Sequence, residues 1–247
     1  MQEQKISAGS YDLNKWLFGG YEKDIITTIY GPAGSGKTNF CVLSAVSQAK
    51  KGNKVIFVDT EGGFSVDRVK QISGGDYEKI LENIMLLKPT NFSEQQEAFC
   101  RLLKEIKNNK ISLIIVDGMT MLYRLALGEA RDENEEDRKI IKIREINSEL
   151  AKQMRILAEI SRKYEIPIIA TNQVYSDFLT EEEMKRGKEK ETHMVGGDIM
   201  RYWSKCIIEL RLERGKRKAI LRKHRSLPEK MLDFEIVGEG IRRRGWI

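Results

Sequence analysis

Proline and cysteine are both scarce in these 247 residues: four of one and three of the other. So few prolines exclude a proline-rich linker protein, and twenty glycines without a triplet period exclude collagen. The cysteines, Cys41, Cys100 and Cys206, form no C-x-x-C pair. An odd number of scattered thiols fits reduced cysteines inside a cell. The opening Met1–Ile6 lacks the basic segment and apolar core of a secretory signal. No apolar run reaches bilayer length, and Ile111–Val116 has the length of a buried strand instead. The expectation is an intracellular protein, cytoplasmic and nucleoid-associated, with no membrane partner. With 40% hydrophobic and 32% charged residues the chain is too apolar for disorder and long enough to bury a sizeable core. No linker or internal repeat divides it, so one domain over 1–247 is expected.

The net charge is +6, with a pI near 9.1. Where the charge sits matters more. Arg211, Arg214, Lys216, Arg217, Lys218, Arg222, Lys223 and Arg225 face only Glu213 within one stretch, and Arg242-Arg243-Arg244 follow near the end. Glu129–Asp137 is acidic by contrast. A basic C-terminal third suggests a polyanionic partner, with Arg217, Lys218, Arg222 and Lys223 as candidate DNA contacts. The plainer reading is a solvated hairpin whose Lys and Arg guard an edge strand.

Strands alternate with helices. Ile25–Tyr30, Val55–Asp59, Ile84–Leu87, Ile111–Asp117 and Ile166–Thr171 read as buried strands. Helices are expected over Thr38–Lys50, from a Ser93 cap to about Asn108, and over Ile140–Tyr164. This pattern predicts an α/β fold with a mostly parallel twisted sheet flanked by helices. Cys206–Glu213, Lys216–Arg222 and Met231–Val237 read as antiparallel strands added at the C-terminal edge. Gly118–Lys139 and Val174–Arg201 lack regular periodicity and follow strand ends, where open α/β sheets bind ligands.

Gly31-Pro32-Ala33-Gly34-Ser35-Gly36-Lys37-Thr38 matches G-x-x-x-x-G-K-[ST] between a strand and a helix. Its glycines allow a tight turn whose N–H groups point at phosphate oxygens, and the helix N-terminus adds positive potential. Lys37 is placed to reach β/γ-phosphates and Thr38 to ligate Mg²⁺; Asn39 joins the nucleotide-binding set. Leu113-Ile114-Ile115-Val116-Asp117 ends an apolar run in a carboxylate, a second metal-site candidate. In Val58-Asp59-Thr60-Glu61-Gly62-Gly63-Phe64, Glu61 is the candidate base that orients a water, with Asp59 as competitor. The plainer role for Asp59 or Thr60 is capping.

In this order, the phosphate loop, V-D-T-E-G-G-F64, L-I-I-V-D-G118 and I-I-A-T-N-Q-V174 resemble the ATPase core of the RecA/RadA recombinases. Leu13–Gly20 is similar to the segment leading into their phosphate loop. The resemblance runs from about Ser7 to Arg242 and is nearest to the archaeal RadB group, short RadA-like paralogues. It implies ATP and Mg²⁺ as cofactors, with Glu61 as the water-activating glutamate and Asp117 as the metal-site carboxylate. It further implies Gln173 as sensor of the γ-phosphate and Arg68 stacking on adenine. The implied partners are DNA, single-stranded by preference and branched as a further form, and a RadA-type recombinase or a Holliday-junction nuclease.

Some residues depart from that pattern. The first DNA-facing loop holds Tyr123-Arg124 and then turns acidic, which repels phosphate; a solvated helix start is the preferred reading. The second holds Lys185, Arg186, Lys188, Lys190 and His193. Tyr175, Phe178, Tyr202 and Trp203 are capable of stacking on bases, but Tyr202 and Trp203 are expected in the core. Met1–Ser10 lacks the aromatic docking motif of the recombinases, so a small oligomer or dimer is expected rather than a long filament. Lys223 stands where the family has an aspartate. Weak ATPase activity without robust strand exchange is the resulting expectation.

Overall fold

The structure, a computed structural model, describes residues 4–176 and 192–245. Its first half contains β1 (Lys5–Ile6), α1 (Tyr11–Trp16), β2 (Tyr21–Glu22), β3 (Ile26–Tyr30), α2 (Lys37–Ala49), β4 (Lys54–Asp59), α3 (Val66–Ser73), α4 (Tyr77–Glu82) and β5 (Ile84–Leu87). Then come α5 (Phe92–Asn108), β6 (Ile111–Asp117), α6 (Met121–Arg131), α7 (Glu136–Tyr164), β7 (Ile168–Asn172), β8 (Val174–Ser176) and β9 (Thr192–Met194). The chain continues through α8 (Gly197–Trp203), β10 (Cys206–Glu213), β11 (Lys216–Lys223), β12 (Lys230–Val237) and β13 (Gly240–Arg243).

Nine strands form one sheet in the order β13-β12-β11-β10-β3-β7-β6-β4-β5. The five apolar strands of the first two-thirds pair in parallel. Buried on both faces, they need unbroken apolar runs, and Val55–Val58 and Leu113–Val116 supply them with every side chain below 1% exposed. One face packs on α1–α4 through Phe40, Leu43 and Val46, and the other on α5–α8 through Phe99, Leu150 and Leu157. The edge of Phe40 meets Phe234 with centroids 5.3 Å apart, which anchors α2 to β12.

Several expectations need correction. β10 is parallel to β3, not antiparallel; the reversal begins one strand later, at β11. A crossover through α8 delivers β10 in that direction. Asn91, not Ser93, caps α5: its side chain accepts from Glu94 N at 2.9 Å, and Glu94 Oε2 accepts from Thr90 N at 2.8 Å. The segment after Gly118 is not irregular but forms α6 and the first turn of α7, and Tyr123 is buried with its hydroxyl donating to Asn147 Oδ1 at 2.7 Å. Local ion pairs such as Glu135–Arg138 at 2.9 Å and Glu136–Lys139 at 3.4 Å hold the acidic stretch. Tyr202 is 72% exposed rather than in the core, while Trp203 is half-buried. Phe178, Lys185, Arg186, Lys188 and Lys190 lie outside the described residues. Arg242 and Arg243 sit on the edge strand β13, where Arg242 pairs with Glu235 and Asp12 of α1 accepts from the Arg243 backbone N–H, which takes that edge donor out of further pairing.

Candidate functional site

The C-terminal ends of β3, β4, β6 and β7 converge, and each carries one part of the site. After β3 the chain turns sharply. A Cβ on Gly31 would come within 2.4 Å of the Leu210 carbonyl, so only glycine lets the loop pass β10. Gly36 (φ 109°) then N-caps α2 in a left-handed conformation, with no side chain capping the helix. The first-turn N–H groups of this 13-residue helix therefore face the loop without a protein cap. Ser35 is fully buried and its hydroxyl has no hydrogen-bond partner among the described residues. Uncapped donors beside an orphaned hydroxyl fit a phosphate chain.

Lys37 is 6% exposed and donates to the carbonyls of Gly31 (2.9 Å) and Pro32 (3.0 Å). Burial holds its ammonium below the usual lysine range, against the raising effect of Glu61 and Asp117. Lys37 also donates to Gln173 Oε1 at 3.4 Å, and Gln173 Nε2 donates to Glu61 Oε2 at 3.1 Å. One amide thus joins the cation of the phosphate loop to the carboxylate after β4.

At the end of β6, Asp117 is 1% exposed. Thr38 Oγ1 donates to its Oδ2 at 2.7 Å and Thr171 Oγ1 to its Oδ1 at 2.6 Å. Burial pushes its carboxyl up to about 6 in spite of these two bonds. A hydroxyl and a carboxylate side by side are hard oxygen donors of the kind Mg²⁺ takes.

Asp59, the competitor for Glu61, has both oxygens occupied by backbone: Gly63 N donates to Oδ1 at 3.1 Å and Phe64 N to Oδ2 at 3.0 Å. Thr60 holds the neighbouring strand end, donating to the carbonyls of Asp117 and Gly118. Neither caps a helix, since Ser65 caps α3. Asp59 holds the 63–64 turn and Thr60 ties the end of β4 to that of β6, while Glu61 keeps its carboxylate for Gln173. Arg68 Nε donates to Asn39 Oδ1 at 2.8 Å, and its terminal nitrogens donate to the carbonyls of Gly238 and Gly240. This places its guanidinium between α2 and the β12–β13 turn.

The four candidate DNA contacts do not form one patch. Alternate residues of a strand point to opposite faces. Arg217 lies opposite Phe234 on the α2 side and donates to the Gly34 carbonyl at 3.3 Å, so it belongs with the phosphate loop. Lys218 points to the other face, opposite Asp233. Arg222 is bound at 2.6 Å by both Glu209 and Glu229. Lys223 donates to the Arg201 carbonyl at 2.9 Å, capping the end of α8. Arg211 and Arg225 are paired as well, to Glu209 and to Glu22 with Asp24. Arg222→Gln is therefore expected to leave DNA affinity within about twofold and the salt slope unchanged, read by anisotropy titrations at several salt concentrations.

Sequence reasoning missed Thr171 and Asn172. Thr171 bonds Asp117; Asn172 Nδ2 donates to the Val195 carbonyl at 2.6 Å, and Thr120 Oγ1 bonds its Oδ1. The T-N-Q motif contained the signal, but its first two residues serve the strand ends around the site rather than the ligand.

The Rad51 family pattern matches residues 2–244. The chain is 42% identical over 234 residues to the DNA repair and recombination protein RadB of Methanobrevibacter smithii, covering 93% of this chain and 92% of that one. It is 38% identical to the RadB of Methanothermobacter thermautotrophicus, covering 98% and 97%, and 39% identical to that of Methanocaldococcus jannaschii, covering 93% and 98%. Such a family implies nucleotide binding on a P-loop and suggests an ATPase. The protein belongs to the Rad51 family of RecA-like proteins, and its similarity to the archaeal RadB proteins runs through most of its length.

Proposed function

We propose that the protein binds ATP–Mg²⁺ and DNA, turns ATP over slowly, and acts in recombinational repair as an accessory to a RadA-type recombinase or a junction-cleaving nuclease. The Lys37–Gln173–Glu61 chain carries this reading. When bound, ATP–Mg²⁺ supplies a phosphoanhydride whose cleavage spreads charge over the terminal phosphoryl group. Gly31–Asn39 would hold the phosphates, Thr38 and Asp117 the metal, and Arg68 the adenine. Glu61 would orient a water and accept its proton. Gln173 has two outlets: its side chain reaches Glu61 and Lys37, and its carbonyl accepts from Val195 N at 3.2 Å, at the entry to α8. The engagement of both Glu61 oxygens by the Gln173 amide restrains the base and supports slow turnover. The same contact favours a second reading, an ATP-gated binding module in which hydrolysis is incidental. An intracellular location fits either.

The test titrates single-stranded, duplex and branched DNA with no nucleotide, ATP and a non-hydrolysable analogue, with mass measured in solution. Affinity that changes with nucleotide supports the proposal, and indifference to nucleotide refutes it. D-loop formation as efficient as that of a RadA recombinase would rule out the accessory role. Arg68→Ala is expected to reduce the preference for ATP over GTP in competition binding, since a planar guanidinium can stack on a base. Unchanged discrimination removes Arg68 from adenine recognition.

A further inference from the structure

A shallow, open cleft of about 410 Å³ lies away from the phosphate loop, between the C-terminal half of α7 and the end of α8. It is lined by Arg155, Ala158, Glu159, Arg162, Lys163 and Trp203. The spacing explains the lining: residues 155, 158, 159 and 162 share one stripe of a helix, and Trp203 lies against that stripe. Trp203 also packs on the core cluster behind it, which fixes its ring. Tyr202 meets it edge-on with centroids 5.2 Å apart and is 72% exposed.

The charge around these rings is mostly basic. Among the described residues no carboxylate pairs with Arg155, Arg162, Arg201 or Lys205. Lys205 also stands close enough to Lys223 to add to the burial that lowers its ammonium. Among the described residues Glu159 is the one carboxylate in the lining. This differs from the basic hairpin, where Arg211, Arg222 and Arg225 are each spent on an acid. Held aromatic faces inside unneutralised arginines suit a ligand with flat rings and regularly spaced negative charge. Single-stranded nucleic acid has both. An acidic peptide would satisfy the charge but leave the two ring faces without a matching surface.

The cleft is also tied to the nucleotide end. Asn172 and Gln173 hold Val195 from both sides, Gly196 N-caps α8, and Trp203 ends that helix. The Lys223 bond to the Arg201 carbonyl locks the far end of α8. A shift at Gln173 thus has a short rigid element through which to move the rings.

We infer that the Trp203 cleft between α7 and α8 is a binding site for single-stranded nucleic acid. Its bases stack on Trp203 and Tyr202, and its phosphates meet Arg155, Arg162 and Lys163. This rests on the DNA-binding reading above and adds the place. The probe is a short oligothymidylate, followed by anisotropy and by tryptophan fluorescence on the full chain. Trp203→Ala and the double variant Arg155→Glu/Arg162→Glu are expected to lose about fivefold or more in affinity. Trp203→Phe keeps a stacking ring, so it should retain most of the affinity while losing the quenching that binding causes in wild type. Arg138→Glu, at the opposite end of α7, is the charge control and should match wild type within the effect of net charge. If wild type binds DNA but these cleft variants bind equally well, or Trp203→Phe shows the same quenching, this inference falls and the proposed function stands. If wild type binds no DNA in any nucleotide state, both fall. Quenching by a polyglutamate-rich peptide but not by oligothymidylate assigns the cleft to a protein partner and overturns the inference.

Discussion

Asp117→Asn is expected to raise the melting temperature while abolishing magnesium-dependent nucleotide binding. The carboxyl is 1% exposed and burial pushes it up to about 6, from an ordinary value of 3.8. A raised acid binds its proton more tightly folded than unfolded. Its ionisation therefore costs stability, and the cost grows as pH rises from about 4 to about 6 and is complete above that. A shift of this size corresponds to roughly 1–3 kcal/mol. Asparagine has the same shape and no charge, and the Thr38 and Thr171 hydroxyls can turn to meet it. For a chain of this length the gain is about 3–10 °C in Tm near neutral pH, shrinking towards pH 4. The same change removes the anionic oxygen a hard cation requires. Thermal melts at pH 4, 5 and 7.5, with and without Mg²⁺–ATP, check both halves. A variant that melts below wild type at pH 7.5 would show that the ionised carboxylate is a net stabiliser.

Glu61→Gln is expected to lower ATP turnover about 10²- to 10⁴-fold, the range for loss of a general base, with nucleotide affinity nearly unchanged. Glutamine keeps the length and the contact to Gln173 but cannot take a proton. Asp59→Asn is the informative partner variant. Since both Asp59 oxygens accept backbone N–H groups of the 63–64 turn, its replacement leaves one donor facing an amide nitrogen. It should loosen that turn and reduce turnover and binding together. Single-turnover hydrolysis alongside equilibrium binding separates the two. If Asp59→Asn removes turnover with binding intact, while Glu61→Gln does not, the roles are reversed. Gln173→Ala complements these: it frees Glu61 and should uncouple DNA affinity from nucleotide state without a comparable loss in nucleotide binding.

The parallel strands were legible because burial on both faces demands unbroken apolar runs, as in Leu113–Val116. The phosphate loop was legible because its chemistry is local: glycines, a lysine and a hydroxyl within eight residues. The small helices α3, α4 and α6 were not. Each is short, and α6 carries Tyr123 into the core although its sequence turns polar and acidic soon after. Tyr202 and Trp203 illustrate the limit differently. Neighbours in sequence with similar chemistry, they separate by the turn of one helix, one half-buried on α7 and the other exposed.

By itself, then, the order of residues determined the strand–helix alternation, the phosphate cradle and the identity of Asp117 and Glu61 as acids at strand ends, because each depends on contacts within one turn or one strand. The tertiary structure alone decided which charges are available. Of the basic residues clustered in sequence at 211–225, Arg211, Arg222 and Arg225 are neutralised by acids as distant as Glu22 and Asp24, and the β pleat divides Arg217 from Lys218. Arg155 and Arg162 of α7 are brought beside Trp203 of α8, and among the described residues no carboxylate pairs with either. Charge acts through space, and its neighbours in space are set by the packing of α7 and α8 on the sheet.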